Sequence, residues 1–348
     1  MAYTTINKHT DHFNTKIYTG NATNPTTISG IGFQPDWVWT KLRSGGTEAH
    51  RLCDAVRGAT KDLFSNATDA EATNTIGLKS FNSDGYVIGN SNGYNLNSGS
   101  FVSWNWKANG AGSANTDGDI NSTVSVNTTA GFSIVTYTGN LSSSTTATVG
   151  HGLGVAPQMI ITKRLSNSSE WGVLHKNLSS WNYVLWLQDT DAQIDKSSNG
   201  SMSAPTSTVF STNYTNALNV NSSTYVAYCF AEKTGYSKIG RYRGNGTSDT
   251  APFIYTGFKP SFVLLKESTS TDNWLMMDNK RLGYNPRNDV VFSNLNNAEQ
   301  GHDRIDLLSN GFKINNDDGS INQSGQTYIY YAVGQSLVGS NNVPCTAR

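Results

Sequence analysis

The chain has 348 residues, of which 36% are hydrophobic and only 14% are charged, and Ser, Thr, Asn and 33 Gly fill the gap. Its 25 basic and 25 acidic residues cancel and form no basic stripe, which argues against binding of nucleic acid and against a polybasic membrane anchor. No apolar run approaches the ~20 residues of a membrane span, and MAYTTINKHTDHF at the start lacks the apolar core of a signal peptide, so we expect synthesis in a cytoplasm without membrane insertion.

A polar composition can indicate disorder, but here the aromatic content argues against it. The 8 Trp, 16 Tyr and 13 Phe supply much apolar area per residue, and disordered chains are poor in such side chains. Short aromatic and β-branched runs separated by Asn, Gly and Ser turns are typical of β-strands. The composition therefore predicts an all-β protein.

The predicted elements of the first part of the chain form a recognisable series. An aromatic strand reaches YTGN at Tyr18, and GFQPDWVWTK follows at 32–41. SFNSDGYVIG (80–89) carries an Asp-Gly hairpin turn, and SFVSWNW (100–106) is a closing aromatic strand. The signature residues of this series are Tyr18, Gly32, Pro35, Trp37, Trp39 and Lys41.

The same series appears twice more in chain order. GVAPQMIITK (154–163) and GFKPSFVLLK (257–266) repeat the pattern of Gly, Pro, three large apolar residues and Lys, each after a Tyr-x-Gly-Asn motif. TYVAYCF (224–230) and TYIYYAV (327–333) close these two series. The corresponding signature residues are Tyr137, Gly154, Pro157 and Lys163, and then Tyr242, Gly257, Pro260, Phe262 and Lys266.

Four motifs in one order, three times over, predict an internal repeat. We expect three tandem antiparallel β-sandwich modules of jelly-roll-like type. The predicted boundaries are an N-terminal tail at 1–9, a first module at 10–108, a Gly/Ser/Asn/Thr linker at 109–130, a second module at 131–232, a third module at 233–338 and a C-terminal tail at 339–348.

Two interpretations of GFQPDWVWTK compete: an exposed aromatic platform for a ligand, or a core strand. The other copies place Met159 and Ile161 where Trp37 and Trp39 stand, and neither offers a flat aromatic face. The comparison favours a core strand covered on both faces, with each Pro at strand entry because proline cannot donate to a sheet ladder. The terminal Lys of each copy is interpreted as a strand-end charge, or else as one partner of a structural salt bridge.

The residues of catalysis and metal binding do not assemble into a motif. The six His form no HxH or HExxH pattern, and the three Cys form no CxxC pair. NTDGDIN (115–121) and NNDDGS (315–320) lack the full spacing of a calcium loop, and nothing pairs Asp54, Asp189 or Asp278 as a glycosidase would require. We therefore predict no enzyme, no cofactor and no metal, with Cys229 a buried free thiol.

The sequence resembles a group of tailed-bacteriophage structural proteins that are common in marine phages, including those of cyanobacteria. The resemblance rests on YTGN, GIGFQPDWVWTK, DAVRGATKDLFSNATDAEAT, SFNSDGYVIG, VGHGLGVAPQMIITKR and the tail NNVPCTAR, and covers nearly the whole chain. It implies a virion surface protein that is made in the host cytoplasm, and it brings no catalytic residues with it.

Two roles remain open at this stage. One is a capsid decoration or head-surface protein that docks on other virion proteins through its short tails, of which the C-terminal one contains Val343, Pro344, Cys345 and Arg348. The other is a tail-fibre or receptor-binding protein that contacts host cell-surface glycans through loops such as NSNGYNLNSGS (90–100), whose composition also fits, and favours, an ordinary hairpin loop. A homo-oligomer, by analogy a trimer, fits either role.

Overall fold

The computed structural model describes residues 4–281, 285 and 288–335, with only the backbone at 288. These residues form an all-β protein, as the sequence predicts, in which three antiparallel β-sandwiches share one apolar core. Two short 3₁₀ turns, His9–Asp11 and Ser197–Asn199, lie outside the sheets.

The first sandwich pairs a main sheet of order β1-β9-β3-β4 with an outer sheet of order β2-β8-β7. Its elements are β1 (Phe13–Thr19), β2 (Thr26–Ser29), β3 (Trp37–Ser44), β4 (Arg51–Asp54), β5 (Lys61–Asp62), β6 (Ala72–Thr73), β7 (Leu78–Asn82), β8 (Gly85–Ile88), α1 (Asn92–Asn95) and β9 (Ser100–Trp106). The short strands β5 and β6 pair with each other.

The second sandwich pairs a main sheet of order β10-β11-β12-β19-β14-β15-β16-β17 with the two strands β13 and β18. Its elements are β10 (Ser113–Asn115), β11 (Ser122–Asn127), β12 (Phe132–Thr138), β13 (Thr146–Gly150), β14 (Met159–Arg164), β15 (Trp171–His175), β16 (Tyr183–Trp186), β17 (Ile194–Asp195), β18 (Val209–Asn213) and β19 (Thr224–Phe230).

The third sandwich pairs a main sheet of order β20-β28-β22-β23-β24-β25 with an outer sheet of order β21-β27-β26. Its elements are β20 (Ser237–Arg243), β21 (Phe253–Tyr255), β22 (Pro260–Glu267), β23 (Trp274–Asp278), β24 (Asn288–Phe292), β25 (Gln300–His302), β26 (Ile305–Leu308), β27 (Gly311–Ile314), α2 (Gly319–Asn322) and β28 (Thr327–Gly334).

The three main sheets contain one common strand order. In each, the strand that carries the signature Tyr pairs with the last strand, the last pairs with the Lys-bearing strand, and that strand pairs with the next one along the chain. The matching sets are β1-β9-β3-β4, β12-β19-β14-β15 and β20-β28-β22-β23. Three copies of one module would produce this order; the repeat itself stays a prediction, which superposition of 10–108 on 233–338 would test.

The Lys-bearing strands are buried on both faces, and their alternation separates two kinds of core. Trp37 and Trp39 of β3 point into the apolar cluster that all three sandwiches share, whereas Val38 between them points into the first sandwich's own core. β14 and β22 alternate in the same way. Each main sheet therefore has one face inside its sandwich and one face at the centre of the molecule.

The flexible linker predicted at 109–130 needs correction. β11 pairs with β12 from Ser122↔Tyr137 to Asn127↔Phe132, and β10 continues the sheet. Backbone pairing to an open sheet edge does not depend on side-chain volume, and Val124 supplies a buried contact in the second core. The Gly/Ser/Asn/Thr composition concealed two strands.

The described residues include most of the predicted N-terminal tail and none of the predicted C-terminal tail. In the predicted N-terminal tail, Ile6 is buried in the shared core and Thr4 and His9 are also buried, so this part is packed rather than free for docking. The predicted C-terminal tail, with Val343, Pro344, Cys345 and Arg348, lies outside the described residues.

Candidate functional site

The tyrosines of the Tyr-x-Gly-Asn motifs are structural. Each stacks on an aromatic ring of the last strand of its sandwich, with ring centroids 5.1, 5.2 and 4.9 Å apart in Tyr18–Phe101, Tyr137–Tyr225 and Tyr242–Tyr328. Each hydroxyl donates to a backbone carbonyl 2.6–2.8 Å away, on Tyr94, Leu218 and Ile321 respectively. They tie their own strands, β1, β12 and β20, to the turn before the last strand of each sandwich.

The Gly and Pro of the signature shape the entry to each Lys-bearing strand. Gly32, Gly154 and Gly257 have φ values of 92°, 71° and 86°, the left-handed region that favours glycine. Pro35 and Pro157 lie two residues before their strands, and Pro260 is the first residue of β22, so all three stand at strand entry as predicted.

The large side chains of the signature build the central core. Trp37 is 1% exposed and stacks on Tyr228 of the second sandwich, with centroids 4.2 Å apart. Phe262 of the third sandwich lies 5.5 Å from Phe13 of the first. Trp39 is equally buried, so the structure contains no tryptophan platform at GFQPDWVWTK.

The interpretation of the three signature lysines as strand-end charges is wrong, because all three side chains are fully buried. Each Nζ donates to backbone carbonyls, one of which belongs to a neighbouring sandwich: Lys41 to Asn296 at 3.1 Å, Lys163 to Thr68 at 2.8 Å and Lys266 to Thr190 at 3.1 Å. Burial lowers the pKa of each ammonium group to about 8. The lysines therefore join the first sandwich to the third, the second to the first and the third to the second.

The residues next to these lysines follow the same cyclic scheme. Trp171 Nε1 donates to Phe64 O and Trp274 Nε1 donates to Trp186 O, each at 2.9 Å. His50 occupies the matching place and its Nε2 lies 2.9 Å from Phe292 O. Because Trp39 Nε1 donates to His50 Nδ1, the imidazole proton is on Nε2 and donates to that carbonyl.

Two of the three junctions between sandwiches also contain a buried ionic network. At the junction of the third and first sandwiches, Arg281 binds Asp278 at 2.7 Å and Glu299 at 3.0 Å. Glu299 in turn binds Arg43 of the first sandwich, and Asp278 accepts a hydrogen bond from Trp104 Nε1 at 3.0 Å. These carboxylates are therefore structural partners rather than candidate acids or bases.

The junction of the first and second sandwiches has a related arrangement, in which the ion pairs lie within the first sandwich and a tyrosine hydroxyl of the second bonds to them. Arg57 binds Asp54 at 2.5 Å and Glu71 at 3.0 Å, and Asp54 accepts a hydrogen bond from the hydroxyl of Tyr228 at 2.8 Å. Asp189, the third carboxylate singled out in the sequence, is exposed and accepts from the N–H of Thr190. The three therefore do not form a pair or cluster.

Other polar groups singled out in the sequence also have local roles. Asp119 accepts from the backbone and side chain of Thr148, and Asp318 caps α2. Among the described residues, no three His, Cys, Asp or Glu side chains are placed to hold a metal. Cys53 and Cys229 are free and buried, which confirms the prediction for Cys229, and burial raises the pKa of the Cys53 thiol to about 12.

The loop 90–100, which the sequence offered for ligand contact, is largely structural. It contains α1, and Tyr94 is fully buried with its hydroxyl 2.5 Å from Asp62 Oδ1. Asn95 donates to Gly89 O and Thr23 O. This loop therefore presents far less side-chain surface than its composition indicates.

The open clefts on the described surface include two of similar volume. One, of about 560 Å³, lies where the first and second sandwiches meet, between the Arg57–Glu71 pair and hydroxyl-bearing residues such as Thr136. The other, of about 570 Å³, lies on the third sandwich beside Asp272 and Arg304. Arg57 and Arg304 both have carboxylate partners, so neither arginine is free to bind an anionic ligand.

An exposed aromatic face lies on the outer sheet of the third sandwich. In β21, Phe253 and Tyr255 are 45% and 63% exposed while Ile254 between them is buried. Phe253 lies opposite Lys313 and Tyr255 opposite Gly311 in β27. We call the outward side of these four residues the aromatic face, and it is the candidate functional site.

Sequence reasoning missed this site, although a signal was present. A strand with one solvent face should alternate apolar and polar residues, and PFIYTG instead contains three large apolar residues in a row. The first sandwich has TTIS at the same place, with the exposed, buried, exposed order of Thr27, Ile28 and Ser29. The difference becomes visible only when the two outer sheets are compared.

The helices of the described residues, α1 and α2, have four residues each, and neither could cross a membrane.

The comparisons with known proteins identify a family. No curated protein matches the chain. A family model described as a domain of unknown function, DUF7483, matches residues 8–336, which is nearly the full length. The chain therefore belongs to the DUF7483 family.

Proposed function

We propose that this protein is a non-enzymatic structural protein of the phage virion surface, with a capsid decoration or head-surface role. The sequence resemblance to phage structural proteins supports this proposal, as does a net charge of zero on a polar surface. Its partners would be other virion proteins, and assembly in the host cytoplasm would precede release.

The observation that carries the proposal is the location of the charged side chains in the fold. The signature lysines and the carboxylates Asp54 and Asp278 are buried at the junctions, where each bonds to a group of a neighbouring sandwich. Buried, fully partnered charges hold a specific geometry and are poorly placed for chemistry on a ligand. Such a unit suits a rigid coat component.

The arrangement also suits a symmetric support. The three main sheets contain one strand order and pack around a shared core, so three copies of one module would give the unit an approximate threefold backbone arrangement. A site of threefold symmetry on a capsid offers matching contacts to each of them. The chain could then dock as a single copy or as part of a larger homo-oligomer, including a trimer.

Copy number separates the head from the tail. Quantitative mass spectrometry of purified virions of the phage that encodes the chain should find on the order of hundreds of copies per particle, as symmetric coverage of a head requires. A few dozen copies or fewer would overturn the decoration role and favour a fibre. Absence from the virion would overturn both.

A tail-fibre or receptor-binding protein that contacts host glycans is the second candidate. One observation favours it, namely the exposed aromatic pair Phe253 and Tyr255 in the outer sheet of the third sandwich. The matching positions of the first sandwich hold the polar residues Thr27 and Ser29.

A further inference from the structure

We propose that the aromatic face of the third sandwich binds a neutral polysaccharide by stacking its pyranose rings on Phe253 and Tyr255. Positions i and i+2 of a strand lie on one side, about 7 Å apart, so the two rings can contact two sugars of one chain. The C–H groups of a pyranose are weakly positive and pack on the negative face of an aromatic ring.

The fold does not require aromatic residues at these positions. In the corresponding strand β2, the outward residues are Thr27 and Ser29. Both β2 and β21 pack closely against a glycine of the strand with which they pair. A Cβ on Gly85 would lie 1.9 Å from Ile28 O, and a Cβ on Gly311 would lie 2.1 Å from Ile254 O. The two sandwiches therefore share the backbone arrangement, and only the outward side chains differ.

Gly311 also keeps the face flat. A Cβ at Gly311 would come within 2.9 Å of Phe253 Cζ, so the edge of the phenyl ring lies close over the glycine backbone. With no side chain on Gly311, the edge of the phenyl ring has room above the glycine backbone, which is the position opposite Tyr255. A flat surface is what a sugar ring requires.

The polar groups beside the rings are balanced in charge. Lys313 lies opposite Phe253, and Asp306 of β26 lies opposite Lys313, on the same outward side. An ammonium and a carboxylate can donate to and accept from the hydroxyl groups of a sugar, while their charges cancel. This balance favours a neutral polysaccharide over a sulfated or acidic one.

The apolar area is too small for a protein partner. Two aromatic side chains at 45% and 63% exposure offer on the order of 200 Å² of apolar surface, against ~800 Å² per partner in a stable protein interface. A second copy of this chain would need a larger apolar surround. The assignment rests on surface chemistry and holds for a head or a tail location alike.

The test uses the full-length protein on an array of pyranose-containing glycans, with the variant F253T/Y255S, which introduces the residues of β2. We expect the wild type to bind at least one neutral glycan, the variant to lose at least tenfold in signal, and the unfolding midpoint to stay unchanged. The control variant T27A/S29A, at the matching positions of the first sandwich, should bind as the wild type does.

Three results would overturn the assignment: no glycan bound by the wild type, binding equal in F253T/Y255S, or binding that T27A/S29A reduces as strongly. Light scattering of the wild type should show no dimer that F253T/Y255S abolishes, since such a dimer would make this face a self-association surface. If the double variant fails to fold, Y255S alone, at the more exposed position, gives the same comparison. Virion copy number is measured separately, so the two proposals fail independently.

Discussion

The junction that closes the molecule differs from the junction between the second and third sandwiches. Where the third sandwich meets the first, Asp278, Arg281, Glu299 and Arg43 form a continuous buried network. Where the second meets the third, the described residues contain no buried network, and the ion pairs of Glu232 with Lys176 and Lys238 are partly exposed. His175, Leu178 and Gln193 stand at the places of Asp278, Arg281 and Glu299.

The backbone contact is nevertheless the same at all three junctions. One N–H donates to a carbonyl of a neighbouring sandwich at 2.9–3.0 Å: Glu299 to Arg43, Glu71 to Leu165 and Gln193 to Ser268. The register positions also match, because Asp54, His175 and Asp278 pair with the first apolar residue of their Lys-bearing strands. The ionic network is therefore an addition to the junction, and the packing geometry does not depend on it.

Chain connection distinguishes the closing junction from the other two. Six residues separate β9 from β10 and six separate β19 from β20, so the chain holds the first sandwich close to the second and the second close to the third. The third and first have the whole second sandwich between them, and their association must offset a larger loop-closure entropy. We infer that the buried charges of the closing junction help to offset this cost.

The largest effect should come from breaking the closing network. Arg281→Leu leaves Asp278 buried without its cation, and we expect a loss of about 3–5 kcal/mol in the free energy of unfolding, measured by urea denaturation. The triple variant D278H/R281L/E299Q introduces the residues of the second–third junction and should recover at least half of that loss. A single variant as stable as the wild type would contradict the role given to this network.

The buried lysines test what all three junctions share. Lys163→Met leaves the carbonyls of Thr68 and Ser169 without their donor, and we expect a loss of about 2 kcal/mol. Lys41→Met and Lys266→Met should cost similar amounts, because their ammonium groups are bonded in the same way. A loss of stability in only one of the three lysine variants would show that the three lysine contacts are not equivalent in energy.

The smallest effect should separate the two ionic junctions. Glu299 binds two arginines whereas Glu71 binds Arg57 closely and Lys61 only at 3.7 Å. We expect Glu299→Gln to cost about 2 kcal/mol and Glu71→Gln about 0.5 kcal/mol at pH 7. Equal losses in urea denaturation would contradict the idea that the closing junction relies most on its charges.

The pH dependence of the Glu299 effect follows from its pKa. Burial alone would raise the pKa of Glu299, but hydrogen bonds from Arg43 and the charges of Arg281 and Arg43 outweigh it and lower the pKa. The carboxylate therefore stabilises the fold above the ordinary glutamate pKa of ~4.3, and this contribution is lost as pH falls through the lower folded-state value. The difference between wild type and Glu299→Gln should shrink over that acid range.

Much of the fold could be predicted because the signals are local. The alternation in GFQPDWVWTK and its two counterparts marks strands, the Pro marks their entry, and replacement of Trp39 by Ile161 identifies a core position. Strand pairing order and the burial of the lysines could not be predicted. The same TK or LK ending fits an exposed strand end and a buried one, and the carbonyls that decide between them come from another sandwich.

The candidate site shows the same division. The sequence offered the loop 90–100 either for ligand contact or, preferably, as an ordinary hairpin loop, and in the structure Tyr94 turns inward to Asp62. Phe253 and Tyr255 could not be distinguished from core residues in the sequence, because most aromatic strand residues of this chain are buried. Exposure depends on what covers a strand, and coverage is decided by residues distant in the chain.

The sequence by itself determined an all-β chain with three series of like motifs, because side-chain period and turn residues act over a few positions. Only the tertiary structure decided that the three sandwiches close on one core, that their charges are used inside, and that one outer face remains aromatic and open. These properties depend on contacts between segments more than a hundred residues apart, such as Arg43 with Glu299, which no local pattern records.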